Sequence, residues 1–223
     1  IYPDFSNETT QSRLIKGQSS FVSRWQEIEL ANDSLGSFFT IQVVCGPGET
    51  IQHIFAGSRK EVTKLARDAT NKLWAFDWEQ EEVEAVVATI ESAADDQGWD
   101  DFAKALITAS KLSGSNGPVV IWSEISTQPD RNTRKALMSQ FEEGISKKLT
   151  KSMQHVAAIV NERPVFLRSR LKRNSVEELG VGFIESAEEI QRICESYQSA
   201  VLIRDAHRCQ LQSSSLTEST ESP

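Results

Sequence analysis

Two almost unbroken apolar runs, Val83–Ile90 and Pro118–Ile125, frame a segment that reads as an amphipathic helix from Trp99 to Leu112. A strand covered on one face alternates apolar and polar residues, whereas a strand covered on both faces has no such need. The two runs therefore point to the interior of a parallel sheet, and the helix between them to the crossover that joins parallel neighbours. An acidic turn, Ala94-Asp95-Asp96-Gln97-Gly98, leads into the helix, and a Gly/Ser/Asn turn leads out of it. Crossovers of this βαβ kind are right-handed. The expected fold class is α/β: a three-layer, Rossmann-like, mostly parallel sheet with helices on both faces, plus an N-terminal hairpin.

The remaining elements fit around that unit. Phe38–Cys45 and Thr50–Ala56 flank Gly46-Pro47-Gly48-Glu49, which predicts the hairpin. Ser58-Arg59-Lys60-Glu61 has the form of a capping box and opens a helix to about Ala69, with a short strand expected over Lys72–Trp78. Past Ile125 a helix is expected from about Arg131 to Glu143, broken at Gly144. A second helix follows, with Ile145, Leu149, Met153, Val156 and Val160 along one face. Strands are expected at Val165–Leu167, Val181–Ile184 and Ala200–Arg204, with capping boxes at Ser175–Glu178 and Ser186–Glu189.

Three segments result. Residues 1–37 are polar and mixed, with a weak helical stretch around Phe21, Val22, Trp25 and Ile28, and the chain begins at Ile1 rather than Met. They read as a lead-in from a missing N-terminal domain. Residues 38–207 form the α/β domain, and 208–223, rich in Ser, Thr and Glu, read as a disordered tail.

Composition narrows the function by exclusion. Twenty-four basic against thirty-two acidic residues leave a net charge of −8. That balance disfavours nucleic acid as a partner, since binding it needs a basic face to displace counterions. No window is apolar over the length needed to cross a bilayer, so no membrane partner is expected. Cys45, Cys194 and Cys209 share no short spacing, which indicates neither a disulfide framework nor a zinc site and fits a reducing, cytoplasmic setting. The G-x-S-x-G elbow, the phosphate-cradling G-x-x-x-x-G-K-S/T loop and the G-x-G-x-x-G turn after a strand are absent from the sequence.

In open α/β sheets ligands gather outside the carboxyl ends of the strands. The rule selects four loops: Ser92–Gln97, Ser123–Gln128, Arg168-Ser169-Arg170 and Asp205-Ala206-His207. Asp95, Asp96, Glu124, Arg168 and His207 are thus candidate binding residues on one rim. Plainer accounts stand beside these. Asp100 and Asp101, in the first turn of the Trp99 helix, suit its dipole and pair with Lys104 at helical spacing. Lys147, Lys148 and Lys151 read as the solvated face of a helix. His53 and His155 lack partners at metal-ligand spacing, and no metal ligand is assigned.

The order and wording of the elements resemble one family, the carboxyl-terminal domain of the lactate racemase-like, nickel-pincer-nucleotide proteins. The resemblance is carried by Phe39-Thr40-Ile41-Gln42-Val43-Val44, Ile54-Phe55-Ala56-Gly57, Val86-Val87-Ala88-Thr89-Ile90 and Phe102-Ala103-Lys104-Ala105-Leu106. It continues through Val119–Ile125, Pro164–Leu167, Leu179–Ile184 and Val201–Ala206, so it spans about Phe38 to His207. It implies a site between two domains, in which the amino-terminal half supplies the catalytic and nickel-ligating histidines and the cofactor-anchoring lysine. Nickel then accepts a hydride from a 2-hydroxy acid and returns it to either face. The carboxyl-terminal half closes over the site with a glycine-rich turn and a helix carrying Gln and Lys three residues apart.

Carried over by residue, Lys104 matches the family lysine and Glu124 the acid that ends the next strand. Asp101 stands in place of the glutamine, and Ala94-Asp95-Asp96-Gln97 in place of the glycine turn. The resemblance thus implies Lys104 and Asp101 as catalytic positions, a small anionic substrate, and a nickel-pincer nucleotide in the full-length protein with no cofactor held by this chain alone. The two departures point to a substrate other than lactate or to lost catalysis. Two functions follow as expectations: the lid half of a 2-hydroxy acid racemase or epimerase, inactive without its metal-binding half, or a non-catalytic binding or interaction module on the same fold.

Overall fold

The computed structural model describes residues 39–78, 83–114, 116–141 and 151–212. The readings placed on 1–37, on Ile145, Leu149, Lys147 and Lys148, and on the tail past Gln212 lie outside them. The chain divides into two compact units, 1–46 with 50–73 and 47–49 with 74–223.

The first unit holds the hairpin and one helix. Strands β1 (Thr40–Cys45) and β2 (Ile51–Gly57) pair antiparallel, with Val43 opposite Ile54. The helix α1 (Arg59–Trp74) begins one residue after Ser58, whose hydroxyl bonds the Glu61 carboxylate at 2.6 Å. It runs further than the sequence reading allows: the strand expected over Lys72–Trp78 is helical to Trp74. Only β3 (Ala75–Asp77), which belongs to the second unit, is extended, and it pairs in parallel with β9 (Gln210–Gln212) of that same unit. Strand β9 lies beyond Cys209, where the Ser/Thr/Glu-rich composition suggests a tail.

The second unit is built on a five-stranded parallel sheet, in order β7-β6-β5-β4-β8. Its strands are β4 (Ala85–Thr89), β5 (Val119–Trp122), β6 (Val165–Arg168), β7 (Gly182–Ile184) and β8 (Ala200–Ile203). Strands β4 and β5 are the two apolar runs, and they are central and buried, as their lack of alternation predicts. The helices α2 (Trp99–Ser110), α3 (Arg131–Leu137), α4 (Lys151–Glu162) and α5 (Arg173–Glu177) lie on the path from β4 out to β7. The helix α6 (Ala187–Glu195) returns the chain across the sheet to β8 on the other flank.

Because crossovers share one hand, a reversal of direction moves the connecting helix to the opposite face. Packing agrees. Val86, Ala88, Val119 and Ile121 share one core with Phe102 and Leu106 of α2 and Val156 of α4. Val87 and Val120, one residue out of phase, pack with Ile184 and Ile190 instead. The layers are therefore helix, sheet, helix.

Two local readings shift. The Ser175–Glu178 box does not open a helix, because α5 already starts at Arg173 with Lys172 as its cap residue. Its end is as expected: Gly180, at φ 75°, adopts the left-handed turn that glycine tolerates best. At the following box Ser186 is the cap residue of α6, and the Glu189 carboxylate accepts from the Glu185 N–H at 2.9 Å.

Candidate functional site

The carboxyl edge of the sheet is held together by a neutral side chain. Gln97 is 6% exposed and makes three hydrogen bonds. Its Nε2 donates to the carbonyls of Ile90 (3.0 Å) and Ser92 (2.7 Å), and its Oε1 accepts from the Glu124 N–H at 2.5 Å. One amide thus ties the loop after β4 to the loop after β5. Ser123 extends the stitching, its hydroxyl donating to the Arg168 carbonyl at 3.1 Å.

Glu124, positioned by that bond, accepts from two arginines. Arg168 donates through Nη1 to Oε1, and Arg170 through Nε to Oε2 at 2.7 Å. Arg168 also donates to the Ser123 carbonyl at 3.3 Å, and its guanidinium lies 5.6 Å over the Trp122 ring. On the other side of β4, Glu91 is clasped by Arg204 through Nε (2.8 Å) and Nη2 (2.6 Å), and Thr89 donates to it at 2.9 Å. The Arg204 hydrogen bond holds the Glu91 carboxyl below the usual carboxylate range.

Asp205, in the turn two residues after β8, adopts an uncommon conformation for a residue with a side chain, φ 50°. That turn lets its N–H donate to Thr89 Oγ1 (3.3 Å) and its Oδ1 accept from the Glu91 N–H (3.1 Å). Its Oδ2 is buried without a hydrogen bond from the described residues, and so is His207 Nδ1, which lies 4.0 Å from Asp205 Oδ1. His207 Nε2 accepts from Arg208 Nε at 3.3 Å. Burial pushes the His207 imidazole below its ordinary pKa. Asp101 and Asp205 oppose that shift, while Arg208 and Lys104 reinforce it.

The expected site residues fall into three groups. Asp101, Lys104 and His207 lie within electrostatic reach of one another, on the α2 side of the sheet. Glu124 and Arg168 form an ion pair at the ends of β5 and β6. Asp95 and Asp96 are exposed in a short 3-10 turn. Glu124 lines a cavity on the α6 side; Lys104 and Asp101 do not. Asp101 also accepts from the Gly98 N–H at 3.2 Å, the capping role that its place in the first helical turn suggests. Among the described residues no group of three or more His, Cys, Asp or Glu side chains could hold a metal ion.

With this geometry the chain can be set beside known proteins. No protein-family model and no curated protein matches the sequence. Solved structures do. The lactate racemase apoprotein from Thermoanaerobacterium thermosaccharolyticum superposes with a TM-score of 0.61 at 13% identity, covering 79% of this chain and 46% of that one. A protein from Thermotoga maritima superposes with a TM-score of 0.51 at 12% identity, covering 78% of this chain and 49% of that one. The fold is lactate racemase-like. The chain spans less than half the length of either solved structure, and identities this low speak to the fold alone.

Gln97, the Glu91–Arg204 clasp and Asp205 are the rim residues that the sequence does not single out. Asp205 had a usable signal, since it lies in the turn just past a strand, at the carboxyl edge. Gln97 had none, because a glutamine in an acidic turn reads as solvated.

Proposed function

We propose that this chain contains the substrate-side half, equivalent to a carboxyl-terminal domain, of a lactate racemase-like enzyme that inverts a 2-hydroxy acid. On this reading it is inactive without a metal-binding amino-terminal half. The observation that carries the proposal is the fold likeness to the lactate racemase apoprotein over 79% of the chain. Lys104 supplies a cation for the substrate carboxylate. Asp101 and His207, within reach of it, set the local charge. Glu124 and Arg168 shape the neighbouring edge, and Asp95 and Asp96 face the partner half from their exposed turn.

The described residues do not fit a nickel centre, since they contain no cluster of ligating side chains. A nickel-pincer nucleotide would therefore be held by the other half. This half binds and orients substrate and excludes water.

A second reading has an observation of its own. Glu124 and Arg168 already satisfy each other, and Glu124 does not share a cavity with Lys104. A binding module without catalysis accounts for that arrangement equally simply. The deciding experiment joins this chain to the nickel-loaded half that the proposal requires and follows chiral inversion over a panel of 2-hydroxy acids. Lys104→Ala is expected to lower kcat/KM at least tenfold, about 1.4 kcal/mol of transition-state binding. Unchanged turnover in that variant removes the assigned role, and no inversion of any 2-hydroxy acid favours the module.

A further inference from the structure

The antiparallel hairpin of the first unit has one face committed and one bare. Toward α1, Val44 is buried and Gln42 Nε2 donates to Thr63 Oγ1 at 3.5 Å. Side chains along a strand alternate between faces, so Phe39, just before β1, and Ile41 and Val43 within it point the other way. Residues opposite each other in an antiparallel pair share a face, and the register sets Val43 against Ile54 and Ile41 against Ala56. Ile51, opposite Cys45 beyond a bulge, continues that face. Most of the large apolar side chains exposed among the described residues lie here: Phe39, Ile41, Val43, Ile51 and Ile54, each between 48% and 67% exposed.

Five side chains of this size, so exposed, present roughly 500 Å² of apolar surface, toward the upper end of the largest patch on an ordinary monomer. The face is also uncharged. From Phe38 to Gly57 the sequence contains no Lys or Arg and one acid, Glu49, which sits in the turn. His53 is opposite Val44, on the face turned to α1. The charges that commonly guard exposed strands against pairing are therefore missing.

We propose that this face docks on the same face of a second copy of the chain, related by a two-fold axis, with the two hairpins stacked about 10 Å apart and an α1 on each outer side. Two such patches bury about 1,000 Å² together, the floor for a specific interface. Composition selects the occupant. Interfaces within one chain and between transient partners are comparatively polar, whereas those between identical subunits are the more apolar ones. An uncharged face meets its own two-fold image without opposing like charges, while the net charge of −8 disfavours self-contact through the charged surfaces of the chain. The interface does not depend on the proposed racemase role.

Sedimentation equilibrium of the full chain over roughly 1 µM to 1 mM is expected to show a monomer–dimer equilibrium that stops at the dimer. Val43→Glu puts a carboxylate on the face and is expected to weaken dimerisation at least tenfold. Asn71→Glu, the same charge at an exposed position of α1, should change it less than twofold. Ile41→Thr combined with Ile54→Thr keeps both positions β-branched, so the hairpin still forms should glutamate disrupt it, and it should also weaken dimerisation at least tenfold. A wild type that stays monomeric throughout overturns the proposal, whether residues 1–37 or another protein cover the face. So does assembly beyond the dimer, a dimer indifferent to Val43→Glu and to the paired threonines, or one weakened as much by Asn71→Glu.

Discussion

Replacing Gln97 with alanine tests whether the functional edge is held by this one amide. The substitution removes three hydrogen bonds, two donated to the carbonyls of Ile90 and Ser92 and one accepted from the Glu124 N–H. A typical intramolecular hydrogen bond contributes about 1 kcal/mol net, and a buried group left without a partner costs about 1–3 kcal/mol. Gln97 lies at the end of the sheet, so water can reach part of the gap, and the lower figure applies to each bond. The sum is a loss of about 3 kcal/mol. For a chain of this length each kcal/mol moves Tm by roughly 2–4 °C, so a drop of roughly 6–12 °C is expected. Urea unfolding should give the same loss as a lower midpoint at unchanged slope.

Gln97→Glu separates the hydrogen bonds from the packing, because it keeps the volume. An ionised carboxylate only accepts, and it would face the two carbonyls that the amide now serves. At pH 7 this variant should be at least as destabilised as the alanine variant; facing two carbonyls raises the acid's folded-state pKa, so stability should return as pH falls through that raised value and be fully regained near the unfolded value of about 4.3, where the protonated acid donates one hydrogen bond. An alanine variant that loses less than about 1 kcal/mol, or a glutamate variant as stable as wild type at pH 7, would refute the idea that Gln97 joins the two loops.

Three further outcomes follow from the same geometry. Burial lowers the folded-state pKa of His207, so below about pH 6.5 the unfolded chain binds the extra proton first and stability falls as pH drops toward the folded value. The groups facing it are Asp101, Asp205, Lys104 and Arg208, and His207→Gln should flatten the slope of urea midpoint against pH below about 6.5. Cys209, its thiol pushed up to about 11 chiefly by burial, should alkylate at pH 8 at least tenfold more slowly than the exposed Cys45; equal rates would contradict its burial. Gly117→Ala would place a Cβ 2.3 Å from the Glu84 carbonyl oxygen and 2.5 Å from Ser113 Oγ, so a loss of about 1–3 kcal/mol is expected in chemical unfolding, and a neutral result would mean that the turn before β5 yields easily.

What the sequence discloses and what it hides divide along a physical line. Val86–Ile90 and Val119–Ile125 announce a buried parallel core because burial on both faces removes the constraint of alternation, and that signal is local. The loops that the carboxyl-edge rule selects do lie at the carboxyl ends of β4, β5, β6 and β8, since that placement needs only strand direction. The rule cannot say which side of the sheet each loop residue serves. Lys104 and Glu124 look like neighbours when the rim is treated as a line, yet one belongs with the α2 face and the other lines the α6 face.

That division depends on strand order, with β8 added beside β4 after the chain has travelled out to β7, and no local pattern encodes it. Among the described residues, the short helix α6 is the one that packs on the second face. The same reversal brings Arg204 onto Glu91 and Asp205 onto Thr89, across more than a hundred residues of sequence. The charged rim is therefore a product of topology acting on residues that read singly as ordinary surface polars. A circularly permuted chain that starts after α6, at Ser196, and joins the old ends through a flexible linker should keep the Glu91–Arg204 clasp if sheet order alone creates it. The carboxyl pKa of Glu91, followed by NMR, should remain below the usual range in that permutant; a return to the ordinary value would show that the connection through α6 is also required.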